Sequence, residues 1–371
     1  MSSHQVIIIG AGIAGAATAW SLKQAGVTDI LILEQANHPG MHSSSRNAAI
    51  LRTAIAQPAL QLLAQQSADF YRNAPSSFST QPLIDAVGLY ITADKGGLPQ
   101  QWMPSAVNSC VADIRKHYPD FADRDADVWH FADEGTLDIH SLLQAFLEQQ
   151  KVRTNCKVDK ILFDKDTACG VVCEGETIYA QQVVIANGGW ANELRSRTGL
   201  NQPFQPYRRH LIVSGALPQV SHHLPVVWNT GANEFYFRPE SNGLLMSACD
   251  HQLVDPQYGE NIDPTIIESV ASKVDYWLPG LHDLQPKHLW SGLRTFSADS
   301  NFVVGPDPAI GNLFWAAGLA GHGMSTAYAV GQLLSDWMLT GTCAHASAAA
   351  LLPQRKSLVD LPSLAGIQQG L

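Results

Sequence analysis

Three things are scarce in this chain of 371 residues: positive charge, cysteine and long apolar runs. The 23 lysines and arginines are outnumbered by 33 aspartates and glutamates, which gives a net charge of −10. A protein that binds nucleic acid by neutralising phosphates needs the opposite balance, so we expect no nucleic-acid partner. No apolar stretch approaches the roughly 20 residues of a membrane-spanning helix, so we also predict no membrane span.

The six cysteines are scattered from Cys110 to Cys343, whereas short secreted domains pack their disulfide cysteines densely. We therefore expect reduced thiols and a cytoplasmic location, and the first residues lack the basic region of a signal peptide. Cys169 and Cys173 form a lone close pair, and a structural zinc site usually needs about four ligands, so we predict no metal. The length favours two domains, since a domain usually has about 100–200 residues.

The strongest pattern lies near the start of the chain. A β-branched run at residues 6–9 predicts a buried parallel strand, and the sequence Gly10-Ala11-Gly12-Ile13-Ala14-Gly15 follows it directly. A helix pattern then runs to Gly26, and a second strand at residues 30–33 ends in Glu34. Together these parts predict a dinucleotide-binding βαβ unit.

Each part of this unit has a mechanical role in holding a dinucleotide. Gly10 allows the tight turn, Gly12 lets the backbone approach a pyrophosphate, and Gly15 lets the helix pack close to the strand. The free N–H groups at the helix start direct a partial positive charge toward the phosphates. Glu34 is placed to accept a hydrogen bond from a ribose hydroxyl.

Four later features favour FAD over a nicotinamide cofactor, which stays the alternative. A polar loop of small residues at 40–49 is suited to wrapping a diphosphate with backbone donors. Residues 157–161 and 170–173 look like a strand pair, and residues 182–191 read as a strand that ends in small residues. A last strand at 312–318 leads into a second glycine-lined helix start, which can direct N–H groups at an anionic flavin ring.

Four motifs then carry a resemblance to a known family. They are His42-Ser43-Ser44-Ser45-Arg46, Tyr207-Arg208-Arg209, residues 234–239 and residues 290–299. On these motifs the chain resembles, over roughly its full length, the D-amino acid oxidase superfamily of FAD-dependent amine oxidoreductases. Within that superfamily it is most similar to the D-arginine dehydrogenase and glycine oxidase branches.

The resemblance implies an α/β fold with two discontinuous domains. Residues 1–80, 138–202 and 294–371 would form an FAD-binding Rossmann-like domain of the glutathione-reductase type. Residues 81–137 and 203–293 would form an α+β substrate domain built on a mostly antiparallel sheet. Prolines and glycines cluster near the predicted joints, around residues 202–206 and 279–280.

The glycine unit and the resemblance together assign the FAD contacts to residues from several segments. They are Gly10, Gly12, Ile13, Ala14, Gly15, Glu34, Gln35, His42, Ser43, Ser44, Ser45, Arg46, Ala48, Val158, Ala186, Asn187, Gly188, Trp190, Arg294, Gly321, His322, Gly323 and Met324. The cysteine that links flavin covalently in some family members would fall near residues 292–293, where this sequence has none. We therefore expect non-covalent FAD.

The resemblance also assigns the substrate contacts. Arg294 and either Arg208 or Arg209 would clamp a substrate carboxylate, because the planar guanidinium fork grips a carboxylate bidentately. Tyr236 would add a hydroxyl donor. His42 is a candidate proton partner because histidine titrates near neutral pH, although it could instead only shape the flavin loop.

A second histidine, His322, is expected beside the flavin ring because it lies between Gly321 and Gly323 at the predicted helix start. Arg238, in contrast, is interpreted as structural.

The predicted function is FAD-dependent oxidation of a small amino-acid substrate to its imine, by hydride transfer to flavin N5, followed by hydrolysis to the 2-oxo acid. A D-amino acid follows from the resemblance alone. Leu89 falls where D-arginine dehydrogenases carry an acidic residue, which favours a neutral or apolar substrate side chain. Residues 245–247 lack the lysine that favours reaction with oxygen in sarcosine oxidases, so we favour a dehydrogenase whose electron acceptor is unknown.

Two alternatives remain open beside this prediction. One is a glycine- or sarcosine-type secondary amine oxidase. The other is a flavin-binding subunit of a hetero-oligomeric amine dehydrogenase that does not itself turn over substrate.

Overall fold

The structure, a computed structural model, describes residues 3–94, 96 and 106–359. The ends of the predicted FAD-binding domain, residues 1–2 and 360–371, lie outside the described residues. Residues 95 and 97–105 of the predicted substrate domain lie outside them as well.

An eight-stranded sheet holds the glycine unit. Its path runs through Val158–Asp164, Thr167–Cys173, Glu176–Ile185, Ser3–Ile9, Ile30–Leu33 and Lys151–Arg153, with Leu313–Ala317 beside Glu176–Ile185 and Val303–Pro306 beyond it. The central strands pair in parallel, whereas the first three strands of the path form an antiparallel meander. This arrangement confirms the predicted Rossmann-like fold.

The first strand is apolar throughout because both of its faces are covered. Ile8 faces a core shared with the helices Ile13–Gln24 and Gly323–Thr340. Ile7 and Ile9 face a second core on the side of the meander. Both faces of the sheet are therefore buried at the strand that leads into the glycine turn.

A nine-stranded sheet, mostly antiparallel, forms the second layer of the molecule. Its path is Gln252–Leu253, Gln205–Ser214, Gly243–Ser247, Phe235–Glu240, Val226–Asn229, Leu89–Ala93, Asp127–Phe131 and Val107–Ser109, with Pro286–Phe296 paired to Gln205–Ser214. The helix Ile266–Trp277 packs with an aromatic core on this sheet. The α+β second domain with a mostly antiparallel sheet is thereby confirmed.

The remaining elements connect and cover these two sheets. A three-stranded sheet of Ile50–Leu51, Gly135–Leu137 and Ile84–Asp85 takes strands from both predicted domain ranges. The other described helices are Pro58–Arg72, Val111–His117, Ile139–Leu147, Ala348–Leu351 and Lys356–Val359, with 3₁₀ turns at Gly188–Leu194, Pro256–Tyr258 and Pro279–Leu281. The strands of the eight-stranded sheet lie within the predicted FAD-binding ranges, and those of the nine-stranded sheet lie within the predicted substrate-domain ranges. The exception is Pro286–Phe296, which crosses the predicted boundary at residue 294. The domain boundaries themselves stay a prediction.

One expectation about the cysteines is wrong. Cys156 is bonded to Cys173, with Cα atoms 5.9 Å apart, whereas we expected reduced thiols throughout. The reason is the pairing of two meander strands, which sets Val158 opposite Cys173 and so brings Cys156 close to it. Cys110, Cys169, Cys249 and Cys343 are free.

Candidate active site and cofactor cavity

A long cavity begins at the carboxyl ends of the parallel strands and ends against the second sheet. Most of the predicted cofactor residues line it: Gly10, Gly12, Ile13, Ala14, Glu34, Gln35, His42, Ser43, Ser44, Arg46, Ala48, Val158, Ala186, Asn187, Gly188, Trp190, Arg294, Gly321, Gly323 and Met324. Gly15, Ser45 and His322 do not reach its wall. Of the predicted substrate contacts, Arg209 and Tyr236 line the far end, whereas Arg208 does not.

The glycine turn has the geometry that its sequence predicts. Gly10 has φ +106°, and a Cβ there would lie 2.6 Å from the carbonyl oxygen of Ala186. A Cβ on Gly15 would lie 2.0 Å from the carbonyl oxygen of Gly10, which explains why this buried residue packs the helix on the strand rather than lining the cavity. The Ile13 N–H donates to Ser44 Oγ at 2.9 Å, so the loop after the second strand closes over the helix start.

Glu34 is held with both carboxylate oxygens already oriented. The Ala11 N–H donates to Oε2 at 2.8 Å, and the Ala36 N–H donates to Oε1 at 2.9 Å. Each oxygen keeps a further lone pair, and the carboxylate is buried at the cavity wall. This environment fits a group that brings its own hydroxyl donors, as a ribose does.

The loop at residues 42–46 contacts Glu260, which lies just after the 3₁₀ turn Pro256–Tyr258 and which sequence reasoning missed. His42 Nδ1 lies 2.6 Å from Glu260 Oε1, and Arg46 Nη2 lies 2.9 Å from Oε2 of the same carboxylate. The His42 ring also packs 4.5 Å from the ring of Trp190. Ser45 donates to the carbonyl oxygen of Met41 at 3.2 Å, away from the cavity.

The far end of the cavity is cationic. The side chain of Arg294 makes no hydrogen bond to any described residue, and a Cβ on Gly321 would lie 2.4 Å from its Nε. Burial, together with the nearby Arg209 cation, lowers the pKa of Arg294 to about 10, so the group remains protonated at neutral pH. Arg209 is fixed by donating to the carbonyl oxygens of Asp250, at 2.9 Å, and Cys249, at 3.0 Å.

The structure separates the two candidates in the Arg208–Arg209 pair. Neighbouring residues of a strand point to opposite faces, and both lie in Gln205–Ser214. Arg208 donates to the carbonyl oxygen of Asn261 at 2.9 Å and lies 3.6 Å from Asp263. Arg209 is therefore the member that can reach a ligand in the cavity.

Two aromatic side chains complete the cationic end. Tyr236 is buried, and this burial raises the pKa of its hydroxyl, while the nearby Arg209 opposes the shift. Its ring lies 4.6 Å from the ring of Trp228, which also lines the cavity and which sequence reasoning missed. A hydroxyl that stays protonated is available as a hydrogen-bond donor.

His322 and Leu89 both lie away from the cavity wall. His322 caps the helix Gly323–Thr340, at the helix start where the sequence placed it, and burial, followed by the charges of Arg52 and Arg294, lowers its pKa well below the usual range. Leu89 lies fully buried in an apolar cluster of the second sheet and does not line the cavity. The prediction of a neutral substrate side chain therefore loses the residue on which it depended.

The donor set of this cavity fits a flavin dinucleotide. Backbone N–H groups and Glu34 lie at one end and arginines lie at the other. Asn187, whose backbone lies beside Gly10, has a buried Oδ1 without a partner in the described residues. Within those same residues, no group of three or more potential metal ligands is present. In the part of the chain that the structure covers, no helix has the length and apolarity to cross a membrane.

The fold and this cavity define a flavin-dinucleotide-binding oxidoreductase. Residues 5–337 match the family described as DAO, FAD dependent oxidoreductase, and the chain belongs to this family. The cofactor is therefore FAD, which decides against the nicotinamide alternative. The predicted membership of the D-amino acid oxidase superfamily is confirmed.

Individual relatives are distant. Glycine oxidase of Pseudomonas aeruginosa is 25% identical over 356 residues, covering 91% of this chain and 95% of that protein. The 4-methylaminobutanoate oxidase (formaldehyde-forming) of Paenarthrobacter nicotinovorans is 24% identical over 371 residues, covering 91% of this chain and 44% of that protein. The chain thus spans less than half the length of this relative and of the rat and mouse mitochondrial dimethylglycine dehydrogenases. In fold, it is similar to the L-proline dehydrogenase from P. horikoshii, with a TM-score of 0.84 at 18% identity, covering 95% and 98% of the two chains.

Proposed function

We propose that this protein oxidises the amine of a small amino acid whose carboxylate binds between Arg294 and Arg209. The observation that carries the proposal is the guanidinium of Arg294, which lines the cavity and has no hydrogen-bond acceptor in the described residues. A guanidinium largely withdrawn from water and without an acceptor is costly, so a carboxylate ligand fits this position. Bound FAD supplies the acceptor for the hydride of the substrate carbon.

Four further side chains around the cavity have separate proposed roles in binding and proton transfer. Arg209 presents a fixed cation, because its Nε and Nη2 are held by backbone carbonyls. Tyr236 donates a hydroxyl hydrogen bond to the same carboxylate. His42, oriented by Glu260 at 2.6 Å, is the proposed acceptor of the proton that the substrate ammonium must lose. His322 is proposed to hold the helix start beside the flavin as a neutral ring.

The finer features of the function are proposals of different origin. A D-amino acid and the dehydrogenase type, with an unidentified electron acceptor, follow from the resemblance and from the missing lysine at residues 245–247. Non-covalent FAD is supported by the lining residues, since Cys156, the cysteine among them, is bonded to Cys173. A cytoplasmic location rests on the sequence alone.

Two other proposals remain beside the main one. A glycine- or sarcosine-type amine substrate is favoured by relatives such as glycine oxidase, because the match covers nearly the whole length of both proteins. A subunit of a larger amine dehydrogenase is favoured by relatives more than twice as long as the matched region.

The test is an anaerobic panel of D- and L-amino acids, glycine and sarcosine, with the absorbance of the bound flavin as the measurement. We expect bleaching by at least one member that carries a carboxylate beside the amine. A matched simple amine without a carboxylate should leave the spectrum unchanged. Full flavin occupancy without bleaching by any member would instead favour the non-catalytic subunit.

A further inference from the structure

The disulfide between Cys156 and Cys173 lies at the cofactor end of the cavity. Cys156 lines the cavity together with its neighbours Lys157 and Val158, and Cys173 is the last residue of the meander strand Thr167–Cys173. The two cysteines are 17 positions apart in the chain. The bond is therefore a covalent link between the cavity wall and the meander.

The segment that carries Cys156 is hydrogen-bonded to the residues around Glu34. The Cys156 N–H donates to the carbonyl oxygen of Glu34 at 2.9 Å, and the Asn155 N–H donates to the carbonyl oxygen of Ala36 at 2.9 Å. The Ala36 N–H in turn donates to Glu34 Oε1 at 2.9 Å. A displacement of this segment would therefore reach the carboxylate that we expect to bind a ribose.

Both cysteines are withdrawn from solvent. Cys156 is 1% exposed, and Cys173 is fully buried in the core on the meander side of the sheet. A thiolate must reach one of the two sulfur atoms to break the bond, so reduction requires a local opening of the chain. Residues 154–157 have no regular structure and connect the strands Lys151–Arg153 and Val158–Asp164, so we expect the opening there, on the side of Cys156.

Bound FAD would oppose this opening. A ligand that binds only the closed state lowers the population of the open state as its occupancy rises. The coupling between two such equilibria is reciprocal. Whatever FAD contributes against the breaking of the disulfide, the intact disulfide therefore contributes to the affinity for FAD.

The redox chemistry of the compartment bears on this coupling. In the cytoplasm, where we propose that the protein is located, thiol reductants break accessible disulfides, and those that form are usually transient or redox-sensing. A buried disulfide whose breaking is opposed by a bound cofactor is most resistant to reduction while that cofactor is bound.

We infer that Cys156 and Cys173 form a redox site that controls how tightly the protein holds FAD. A thiolate of a small dithiol attacks the sulfur of Cys156, which gives a mixed disulfide and releases Cys173 as a thiolate that takes up a proton. The second thiol of the dithiol then displaces Cys156 and closes a cyclic disulfide. The protein gains two electrons and two protons, and the dithiol loses them. The reduced protein, in which the cavity wall is no longer linked to the meander, binds FAD more weakly.

The first test is an FAD titration of the wild-type apoprotein before and after treatment with dithiothreitol, with FAD fluorescence as the signal. The reductant is removed under anaerobic conditions, and free thiols are counted in each sample. We expect the Kd for FAD to rise by about fivefold or more on reduction and to return on reoxidation. Equal Kd values for the two forms would overturn the inference.

Variants assign the effect to this pair of cysteines. Cys156→Ala and Cys173→Ala should each bind FAD weakly without any reductant, and neither should respond to dithiothreitol. The control is Cys169→Ala, because Cys169 lies in the same strand as Cys173 and is free. This control should keep the affinity and the response of the wild type. A response to dithiothreitol that persists in Cys156→Ala would show that another group is responsible.

A second measurement on the wild type tests the reverse coupling. The protein is equilibrated with mixtures of reduced and oxidised dithiothreitol, with and without saturating FAD, and the fraction of alkylated Cys156 and Cys173 is determined by mass spectrometry. FAD should raise the ratio needed for half-reduction by the same factor as the two Kd values differ, about fivefold or more. Alkylation of Cys110, which is free and exposed, should be complete in every mixture. An unchanged midpoint overturns the inference, even if the variants lose FAD through altered packing.

Discussion

The two ends of the cavity present different groups to a ligand. At the cofactor end, these are backbone atoms of consecutive residues, at the turn of Gly10 and the start of the helix Ile13–Gln24. At the cationic end, where we propose that the substrate binds, they are side chains on three strands: Arg209 in Gln205–Ser214, Tyr236 in Phe235–Glu240 and Arg294 in Pro286–Phe296. The first end is therefore specified by a local motif, and the second by the register of a sheet.

The register between Gln205–Ser214 and Pro286–Phe296 explains why Arg209, and not Arg208, lies on the same face of the sheet as Arg294. Tyr207 pairs with Arg294 and Arg209 pairs with Gly292, so side chains at 207, 209 and 294 lie on one face. Arg208 pairs with Leu293 and points to the other face. A shift of one residue would exchange the two sets, so the sheet pairing positions the proposed clamp.

The largest expected effect is a loss of FAD affinity at the cofactor end. Gly10→Ala places a Cβ 2.6 Å from a backbone oxygen in a conformation with φ +106°. Overpacking and backbone strain together cost about 3 kcal/mol, so FAD affinity should fall by about a hundredfold. Flavin content after purification and a reconstitution titration measure this fall.

The matched control for this change is Gly26→Ala. Gly26 has a similar φ of +94°, but no atom lies within 4 Å of the position of a Cβ. This variant should lose some stability and keep its flavin. Equal flavin loss in both variants would mean that backbone strain alone reduces the affinity for FAD, and that the close approach of a Cβ at residue 10 to Ala186 contributes nothing.

A smaller effect tests the substrate end. Arg209→Leu should lower kcat/KM for an amino-acid substrate by about tenfold or more, since a charge-assisted carboxylate contact is worth about 1.5–3 kcal/mol. Arg208→Leu removes its neighbour on the opposite face and should leave kcat/KM within about threefold of the wild type. Steady-state kinetics on both variants, with thermal unfolding as a check on folding, measure the difference. The reverse order would show that the assumed face of the strand is wrong.

The smallest effect concerns the contact between the two ends. Glu260→Gln weakens the partly exposed contacts to His42 and Arg46, which are worth about 0.2–1 kcal/mol. We expect kcat/KM to fall by about two- to fivefold, because the His42 ring loses the contact that orients it. Glu176→Gln, which disrupts the exposed contact to Arg153, is the control and should leave kcat/KM unchanged. An unchanged kcat/KM in Glu260→Gln would argue against a role for Glu260 in orienting His42.

The same difference between the ends explains what the sequence could predict. The glycine turn, Glu34 and the two strands around them follow from local patterns, since strand periodicity and turn residues are visible in one stretch of chain. The second sheet was predicted from the family resemblance instead. The choice between Arg208 and Arg209 needed the pairing with Pro286–Phe296, which one sequence does not reveal.

Other features depend on contacts between distant segments. Arg52 lies over Trp228, 176 positions further along the chain by the numbering, and Glu260 meets a loop at residue 42. Cys156 and Cys173 are separated by 17 positions and were missed because their proximity depends on strand pairing. No spacing rule applied to the sequence pointed to these three contacts.

The most direct test of the central claim is steady-state kinetics on Arg294→Ala and Arg294→Lys, with flavin occupancy checked by absorbance. Arg294→Ala should lower amino-acid turnover by at least about tenfold, and Arg294→Lys should recover only part of the loss. Flavin content should barely change, because the proposed cradle of the dinucleotide, around Gly10, lies at the other end of the cavity. Near-normal turnover by Arg294→Ala with full flavin would contradict the account, since the substrate would then lack a carboxylate or bind it elsewhere.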